Sequence, residues 1–291
     1  MYPHATTHSR PAWLGPWATA AGRLRTLGGL VLALALAAML APAPARADDP
    51  KARQIMQAVN DRDEGDKMRS QLEMVLIDKG GNKRIRKIQS FSKNKGVDKQ
   101  SIMFFTEPAD VQGTGFLTYD YDESGKDDDQ WLYLPALRKS KRIAAGDKSG
   151  SFMGSDFNYS DMVAPDLADF DLKLMKETKV DEVMTWQIES VPRSTEIAEE
   201  TGYSKSIVWV RQDNHVVIRG LRWVHKSNRR KYFQVKDLKQ IDGIWVATEL
   251  QMVTKEGNKT VHATVLNISD VQFNQPLSDA DFTVRRLERG L

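Results

Sequence analysis

Apolar and polar residues alternate with a period of two along most of the chain. Residues 170–174 read Phe-Asp-Leu-Lys-Leu, and residues 72–76 place leucine or methionine at every second position. Successive side chains of a strand point to opposite faces, so this alternation is typical of half-buried β-strands. Glycine- and asparagine-containing turns, such as residues 79–82 and 256–258, separate them. The pattern predicts about eleven strands joined by short turns, which favours antiparallel pairing.

Helical periodicity is confined to short stretches. Asp49 followed by Pro50 is a typical helix start, and apolar residues then recur at i, i+3, i+4 and i+7. These residues are Ala52, Ile55, Met56 and Val59. We expect this helix to end before Gly65 and to lie against the sheet. Ser278 and Asp281 predict a capping box before a short C-terminal turn or helix containing Phe282.

Several strands are apolar on both faces, namely residues 102–105, 131–134 and 207–210. A sheet open to water on its outer side would not need two apolar faces, and a sheet this long tends to curl around a volume. The predicted fold is therefore mainly β. We expect a single large curved antiparallel sheet that forms an incomplete β-barrel, with an N-terminal helix and short helices or loops as a lid.

Residues 131–161 are the most distinctive stretch. A strand ends at Pro135, a basic run follows, and a Gly/Ser-rich loop carries bulky apolar side chains that a solvent-exposed loop would avoid. We interpret the loop as the rim or lid of an apolar cavity. The basic run is either an edge strand protected by charge, the favoured reading, or a contact for an anionic headgroup or partner. It comprises Arg138, Lys139, Lys141 and Arg142.

The candidate lipid-binding residues of this cavity and lid are large apolar side chains on the predicted strands and loop. They are Met103, Phe105, Leu117, Trp131, Tyr133, Phe152, Met153, Phe157, Trp186, Trp209 and Trp223. Tryptophans scattered over strands are most often ordinary core. The sequence does not tell which face of each strand points inward.

The N-terminal 47 residues have the layout of a secretory signal peptide: basic residues, an apolar run at 27–40 and Ala45-Arg46-Ala47 before the cleavage site. The alternative is a retained N-terminal anchor. Cleavage after Ala47 would leave residues 48–291 as one domain in the periplasm. This leader holds four arginines and no acid, so the remainder is nearly neutral and nucleic-acid binding has no electrostatic support. The chain has no cysteine, which excludes disulfides and a cysteine-linked lipid anchor.

Catalytic and metal-binding patterns are weak. The acidic turn that starts at Asp120 begins like a calcium loop but has Trp131 where the bidentate glutamate should stand, so a hairpin tip is favoured. His215, His225 and His262 lack metal-ligand spacing. There is no GxSxG motif and no dinucleotide loop. We expect neither a metal nor a cofactor, and no enzymatic activity.

The chain resembles the outer-membrane lipoprotein-sorting proteins with the LolA-like fold, in a subfamily associated with exporters. The resemblance rests on Glu107-Pro108, GTGFL at 113–117, DQWLYLP at 129–135, the basic run at 138–143 and SFMGSDFNYSD at 151–161. It implies an incomplete antiparallel barrel closed on one side by helices and loops. It also implies a cavity for acyl chains that are carried across the periplasm, and a partner exporter of the resistance-nodulation-division (RND) superfamily in the inner membrane.

Three functions remain open from the sequence. The leading hypothesis is a periplasmic carrier of lipid or lipoprotein acyl chains toward the outer membrane, with transient contact to membrane surfaces. The second is a non-catalytic adaptor that docks on an RND-type exporter and carries nothing. The third and weakest is a hydrolase of envelope lipids or glycans.

Overall fold

A computed structural model describes residues 48–291. The predicted signal peptide, residues 1–47, and its cleavage site lie outside the described residues. No helix within residues 48–291 combines the length and the apolar character that crossing a membrane requires.

Thirteen strands form one antiparallel sheet. They are β1 (Met68–Asp78), β2 (Lys83–Lys95), β3 (Asp98–Glu107), β4 (Gly115–Asp120), β5 (Asp129–Leu134), β6 (Lys139–Arg142), β7 (Phe170–Val180), β8 (Val183–Pro192), β9 (Tyr203–Arg211), β10 (Val217–Val224), β11 (Arg229–Ile241), β12 (Ile244–Glu256) and β13 (Lys259–Gln272). Their spatial order is β6-β5-β4-β3-β2-β1-β13-β12-β11-β10-β9-β8-β7. Strands that follow each other in sequence are therefore paired, except for β6 and β7, which are the two edges of the sheet. The remaining pair joins β1 to β13.

The sheet curves but does not close into a barrel, because β6 and β7 are its two free edges. Register shifts interrupt the pairing, for example at Arg69–Gln71 in β1 and at Val235–Asp237 in β11. Such bulges increase the local bend and twist of a strand. The segment that connects the two edges, residues 143–169 (the central segment), contains four short 3₁₀ turns. The predicted mainly β fold with an incompletely closed antiparallel sheet is confirmed.

Within residues 48–291, three short α-helices accompany the sheet: α1 (Pro50–Asn60), α2 (Thr195–Thr201) and α3 (Val284–Arg289). Asp49 is the N-cap of α1, as predicted, and its carboxylate accepts hydrogen bonds from the backbone N–H groups of Lys51 and Ala52 at 2.9 and 3.3 Å. Ser278 and Asp281 form the predicted capping box, which precedes a 3₁₀ turn. The sequence pattern did not predict α2.

Three apolar clusters explain why so many strands are apolar on both faces. The central segment covers the inner face of β1–β5, β12 and β13, and α1 covers the inner face of β7–β10. The C-terminal segment covers the outer face of β3–β5 through Phe282 and Leu287, which are 1% and 0% exposed. The apolar outer face thus packs against the end of the chain.

Candidate functional site

A cavity of about 650 Å³ lies between α1, the central segment and the inner face of the sheet. This volume falls within the range of about 300–1,000 Å³ that is typical of small-molecule sites. Its apolar wall is formed by aliphatic side chains and two phenylalanines. These residues include Met56, Val59, Phe170, Leu172, Ile188, Val208, Val217, Phe233, Val235, Ala247 and Leu250.

Several side chains of this wall are only partly covered by other residues, and the space in front of them is the cavity. Val208, Val235 and Leu250 point inward from central strands of the sheet but are only half-buried. On the α1 side, Met56 and Val59 reach the cavity. An inner sheet face that is apolar yet incompletely buried is suited to contact a hydrocarbon chain.

A second cavity of about 510 Å³ adjoins the first. Both are lined by Val59, Pro165 and Leu250, so they are two parts of one hollow. We call them the apolar chamber (650 Å³) and the polar chamber (510 Å³). The polar chamber extends over the ends of β2, β3 and β4, where serine, threonine and charged residues line it together with apolar residues such as Met162 and Ile268.

The central segment fills the other half of the inner face. Phe152 and Phe157 are 2% and 6% exposed. The Phe152 ring packs against Phe116 at a centroid distance of 5.0 Å and against Tyr159 at 5.7 Å. The bulky side chains of this segment are therefore inserted into the core, whereas the hollow is lined by later residues of the segment, within 160–169.

Buried polar contacts fix the central segment to the strands behind it. The Asp156 carboxylate accepts a hydrogen bond from the Thr264 hydroxyl at 2.7 Å and lies 2.7 Å from Nδ1 of His262. The backbone N–H of Asp156 donates to the same hydroxyl at 2.9 Å. Asp156 is 4% exposed, so these partners supply the hydrogen bonds that a buried carboxylate requires.

A second anchor lies beside the apolar chamber. Asp161 pairs with Arg222 and accepts a hydrogen bond from the Tyr203 hydroxyl at 2.7 Å. Lys231 donates to the Asn158 side-chain oxygen at 2.6 Å. Burial, and then the nearby Asp161 charge, raises the pKa of Tyr203, whereas burial lowers the pKa of Lys231 to about 8.

The β4–β5 hairpin tip meets the central segment at the mouth of the apolar chamber. The Ser124 hydroxyl and the Gly125 backbone N–H both donate to Asp166 at 2.9 Å. Asp128 also lines this mouth, and burial raises its pKa to about 6, with a contribution from the Asp120 charge. The predicted calcium-like turn is thus a hairpin tip that packs on the central segment.

The structure separates the candidate lipid-binding residues. Met103, Phe105, Phe152, Met153 and Phe157 pack together where the central segment covers the inner face. Leu117, Trp131 and Tyr133 lie on the outer face under the C-terminal segment. Trp186 packs in the α1 cluster and stacks on His215, Trp209 alternates with the inward Val208 and Val210, and Trp223 contacts Lys205 and Arg230.

Within residues 48–291, none of these candidates lines either chamber, and their contact with lipid stays a prediction. The reason is strand parity and size. On β4 and β5 the inward positions are Phe116 and Leu132, and the chosen residues are their neighbours. Large aromatic side chains fill space, whereas valine and leucine leave room. In the sequence, the residues that line the hollow could be recognised only as part of the ordinary alternation of apolar and polar residues along strands.

The predicted basic run forms the exposed edge strand β6 and the turn before it. Lys141 pairs with Asp147 at 3.0 Å, and Arg142 pairs with Asp129. Arg138 and Lys139 are exposed, and Leu137 beside them is 64% exposed. The location at a sheet edge agrees with the edge-protection interpretation. Contact of these cations with a headgroup or partner stays a prediction.

The three histidines of residues 48–291 lie apart. His215 stacks on Trp186, the backbone N–H of His225 donates to the Gly202 carbonyl, and His262 contacts the Asp156 carboxylate. In this part of the chain, no group of three or more His, Asp or Glu side chains is arranged to hold a metal ion. That the protein needs no metal or cofactor, and that it is not an enzyme, stay predictions.

Comparisons with known proteins agree with this architecture. A family model described as "Uncharacterized protein" matches residues 97–289. No curated protein matches the chain. A LolA superfamily protein from Nitrosomonas europaea, 19% identical, covers 81% of this chain and 98% of its own, with a TM-score of 0.60, and shares the fold.

Two crystal structures are more similar. One is an outer membrane lipoprotein-sorting protein domain from Vibrio parahaemolyticus, with 30% identity, a TM-score of 0.73 and coverage of 82% of this chain and 99% of that domain. The other is a DUF1329 family protein from Desulfovibrio piger, with 30% identity, a TM-score of 0.74 and coverage of 83% and 100%. The chain therefore belongs to the DUF1329 family of the outer membrane lipoprotein-sorting proteins, which have the LolA-like fold.

Proposed function

We propose that the protein is a periplasmic carrier that holds an acyl chain of a lipid or lipoprotein in the apolar chamber and transports it toward the outer membrane. The observation that carries the proposal is the half-buried aliphatic wall under α1. Membership of the lipoprotein-sorting family supports it. Placement in the periplasm rests on the predicted signal peptide at residues 1–47.

The energetics of hydrocarbon transfer support such a role. Each methylene group that leaves water contributes about 0.8 kcal/mol, so ten of them contribute about 8 kcal/mol before the cost of association. The aliphatic and aromatic side chains of this wall carry no formal charge, and charged residues such as Asp169, Lys205 and Arg222 line other parts of the chamber. A chain that lies along Val208, Val235 and Leu250 is therefore held by contacts that do not depend on its headgroup.

Titration with a fluorescent fatty acid tests the proposal, together with native mass spectrometry of protein purified from membranes. Val235→Trp would place an indole ring in the chamber, in the space that the acyl chain would occupy. A ring that displaces about two methylenes removes about 1.6 kcal/mol, which is roughly tenfold in affinity. The matched control is Gln234→Trp, one position away on the opposite face of β11. We expect the control to bind within about twofold of the wild type.

Two results would contradict the carrier function. The first is wild-type protein that neither co-purifies with an acyl species nor takes up the probe. The second is an equal loss of binding in both tryptophan variants, when circular dichroism shows that both are folded. Release of product from ester or glycoside substrates, measured in parallel, would favour a hydrolase of envelope lipids or glycans and overturn the expectation that the protein is not an enzyme.

The exposed β6 edge favours a second function, docking on a membrane surface or on an RND-type exporter of the inner membrane. Its cations lie beside the exposed Leu137, a combination that suits an anionic, partly apolar surface. Crosslinking from position 139 in cells would identify the neighbour. Crosslinks to an exporter without any acyl cargo would support the adaptor function, and charge reversal of Arg138 and Lys141 should abolish them. The exposed pair Lys179 and Glu182 provides a control site.

A further inference from the structure

The inner face of the sheet changes from apolar to polar along β2–β5. Ser92, Ser101, Thr118 and Gln130 occupy directly paired positions on these four neighbouring strands. Directly paired residues of antiparallel strands share a face. Two positions further along β3, β4 and β5, the same face carries side chains of the inner apolar cluster. The four polar residues thus form one row across the inner face.

A second polar row lies beyond the first. Lys99 of β3 pairs in register with Asp120 of β4, and Lys99 Nζ is 3.0 Å from the Glu64 carboxylate. Ser92, Ser101, Thr118 and Asp120 all line the polar chamber. This end of the hollow therefore presents hydroxyl groups and a carboxylate, beside apolar residues such as Met162 and Ile268.

Two oxygen atoms in the first row lack a hydrogen-bond partner among residues 48–291: Oγ1 of Thr118 and Oε1 of Gln130. Thr118 is 2% exposed and lines the polar chamber, and Gln130 is 0% exposed. The Gln130 amide nitrogen is engaged, since it donates to the Tyr159 carbonyl at 2.9 Å. Buried polar atoms are nearly always paired, so the orphan oxygen of Thr118, which lines the chamber, points to a donor from outside the protein.

The charges around the polar chamber do not suit an anion. Arg62 and Lys99 are both paired with Glu64, at 2.7 and 3.0 Å, and Lys93 is paired with Asp279. Asp120 accepts a hydrogen bond from the Ala164 backbone N–H at 3.1 Å, and burial raises its pKa. Among the residues that line this chamber, three cations, Arg62, Lys93 and Lys99, are matched by three carboxylates, Glu64, Asp120 and Asp161. The lining therefore has no surplus positive charge, whereas hydrogen-bond acceptors are available.

We propose that the polar chamber is a headgroup subsite for an uncharged headgroup with hydroxyl or amide donors, such as a glycerol ester, whose acyl chain extends into the apolar chamber. The proposal rests on the carrier function and adds the class of cargo and its orientation. An anionic headgroup with the same chain is disfavoured, because it would face the Asp120 carboxylate in a chamber whose lining cations are matched by carboxylates.

Competition against a fluorescent acyl probe tests the subsite with three ligands of equal chain length: monooleoylglycerol, oleate and oleoyl lysophosphatidylglycerol. We expect the glycerol ester to bind most tightly to the wild type. Thr118→Val keeps the side-chain shape and removes the hydroxyl, so it should weaken the glycerol ester about fivefold and leave oleate within about twofold. Thr260→Val, at an exposed position of β13, is the matched control and should change neither.

Asp120→Asn adds an independent test, because removing the carboxylate should strengthen binding of the two anionic ligands relative to the glycerol ester. The subsite is overturned if anionic ligands bind wild-type protein as tightly as the ester, or if Thr118→Val weakens all three ligands equally. Absence of binding by every acyl ligand would instead overturn the carrier function itself. The proposal is supported if Thr118→Val weakens binding of the glycerol ester but not of oleate, and Thr260→Val weakens neither.

Discussion

Replacing Asp161 with alanine should be among the most damaging single changes outside the apolar core. Its carboxylate is 6% exposed and pairs with Arg222, whose side chain is 24% exposed. It also accepts hydrogen bonds from the Tyr203 hydroxyl at 2.7 Å and the Asn158 backbone N–H at 2.8 Å. Asp161→Ala therefore leaves a guanidinium, a hydroxyl and an amide without their acceptor.

The magnitude follows from the buried charge that remains. Breaking a buried ion pair by removing one partner costs about 3–5 kcal/mol, because the other charge stays in a poorly solvated site. An exposed pair is worth about 0–1 kcal/mol. Lys141 and Asp147, 3.0 Å apart with side chains 71% and 53% exposed, provide such a pair, so Asp147→Ala is the control.

Urea unfolding at neutral pH, followed by circular dichroism, measures both losses. We expect Asp161→Ala to lose several times more stability than Asp147→Ala. Adding Arg222→Met to Asp161→Ala removes the uncompensated charge and should recover about 1 kcal/mol or more. Equal losses in the two alanine variants, or a double variant as unstable as Asp161→Ala, would refute the claim that this buried pair anchors the central segment.

Three further changes test other parts of the molecule. Asp49→Ala removes the cap of α1 and the acceptor for the Leu174 backbone N–H, so it should cost about 1–2 kcal/mol and speed amide exchange at Leu174; unchanged exchange would contradict this. Because burial raises the pKa of Asp128 to about 6, its ionisation destabilises the fold increasingly between about pH 4 and 6, so Asp128→Asn should raise Tm near pH 7.5 but not near pH 4.5; equal gains would exclude this role. Leu287→Ala should cost about 2–5 kcal/mol in urea unfolding, because Leu287 is fully buried against β4 and β5, and a loss under 1 kcal/mol would mean that the C-terminal segment is not part of the core.

The elements that local sequence determines could be predicted. Alternation located most strands, and Asp49-Pro50 located the start of α1. Ser278 located the C-terminal capping box. Each signal acts within a few residues, because strand periodicity, capping and turn chemistry are short-range. Strand β6, four residues long and largely charged, has no apolar alternation that would reveal it.

The inner and outer faces could not be assigned, because the segments that cover them come from distant parts of the chain. Trp131 and Tyr133 meet Leu287 on one side of β5, and Leu132 meets the central segment on the other. Alternation shows that both faces are apolar but contains no information about which long-range contact covers which face. The same limit explains why the aliphatic lining residues of the apolar chamber were not identified.

The position of the hollow follows from where the central segment is anchored. Its two buried acids, Asp156 and Asp161, each require specific partners, because an unpaired buried carboxylate is strongly destabilising. Those partners lie on β12–β13 and on β9–β10, which fixes the segment at two separate places on the sheet. Phe152 and Phe157 then fill the inner face over β1–β5, while the hollow lies between α1 and the inner face of β7–β12. The acids of the central segment thus fix where it lies on the sheet, and its aromatic side chains fill a part of the inner face that the hollow does not occupy.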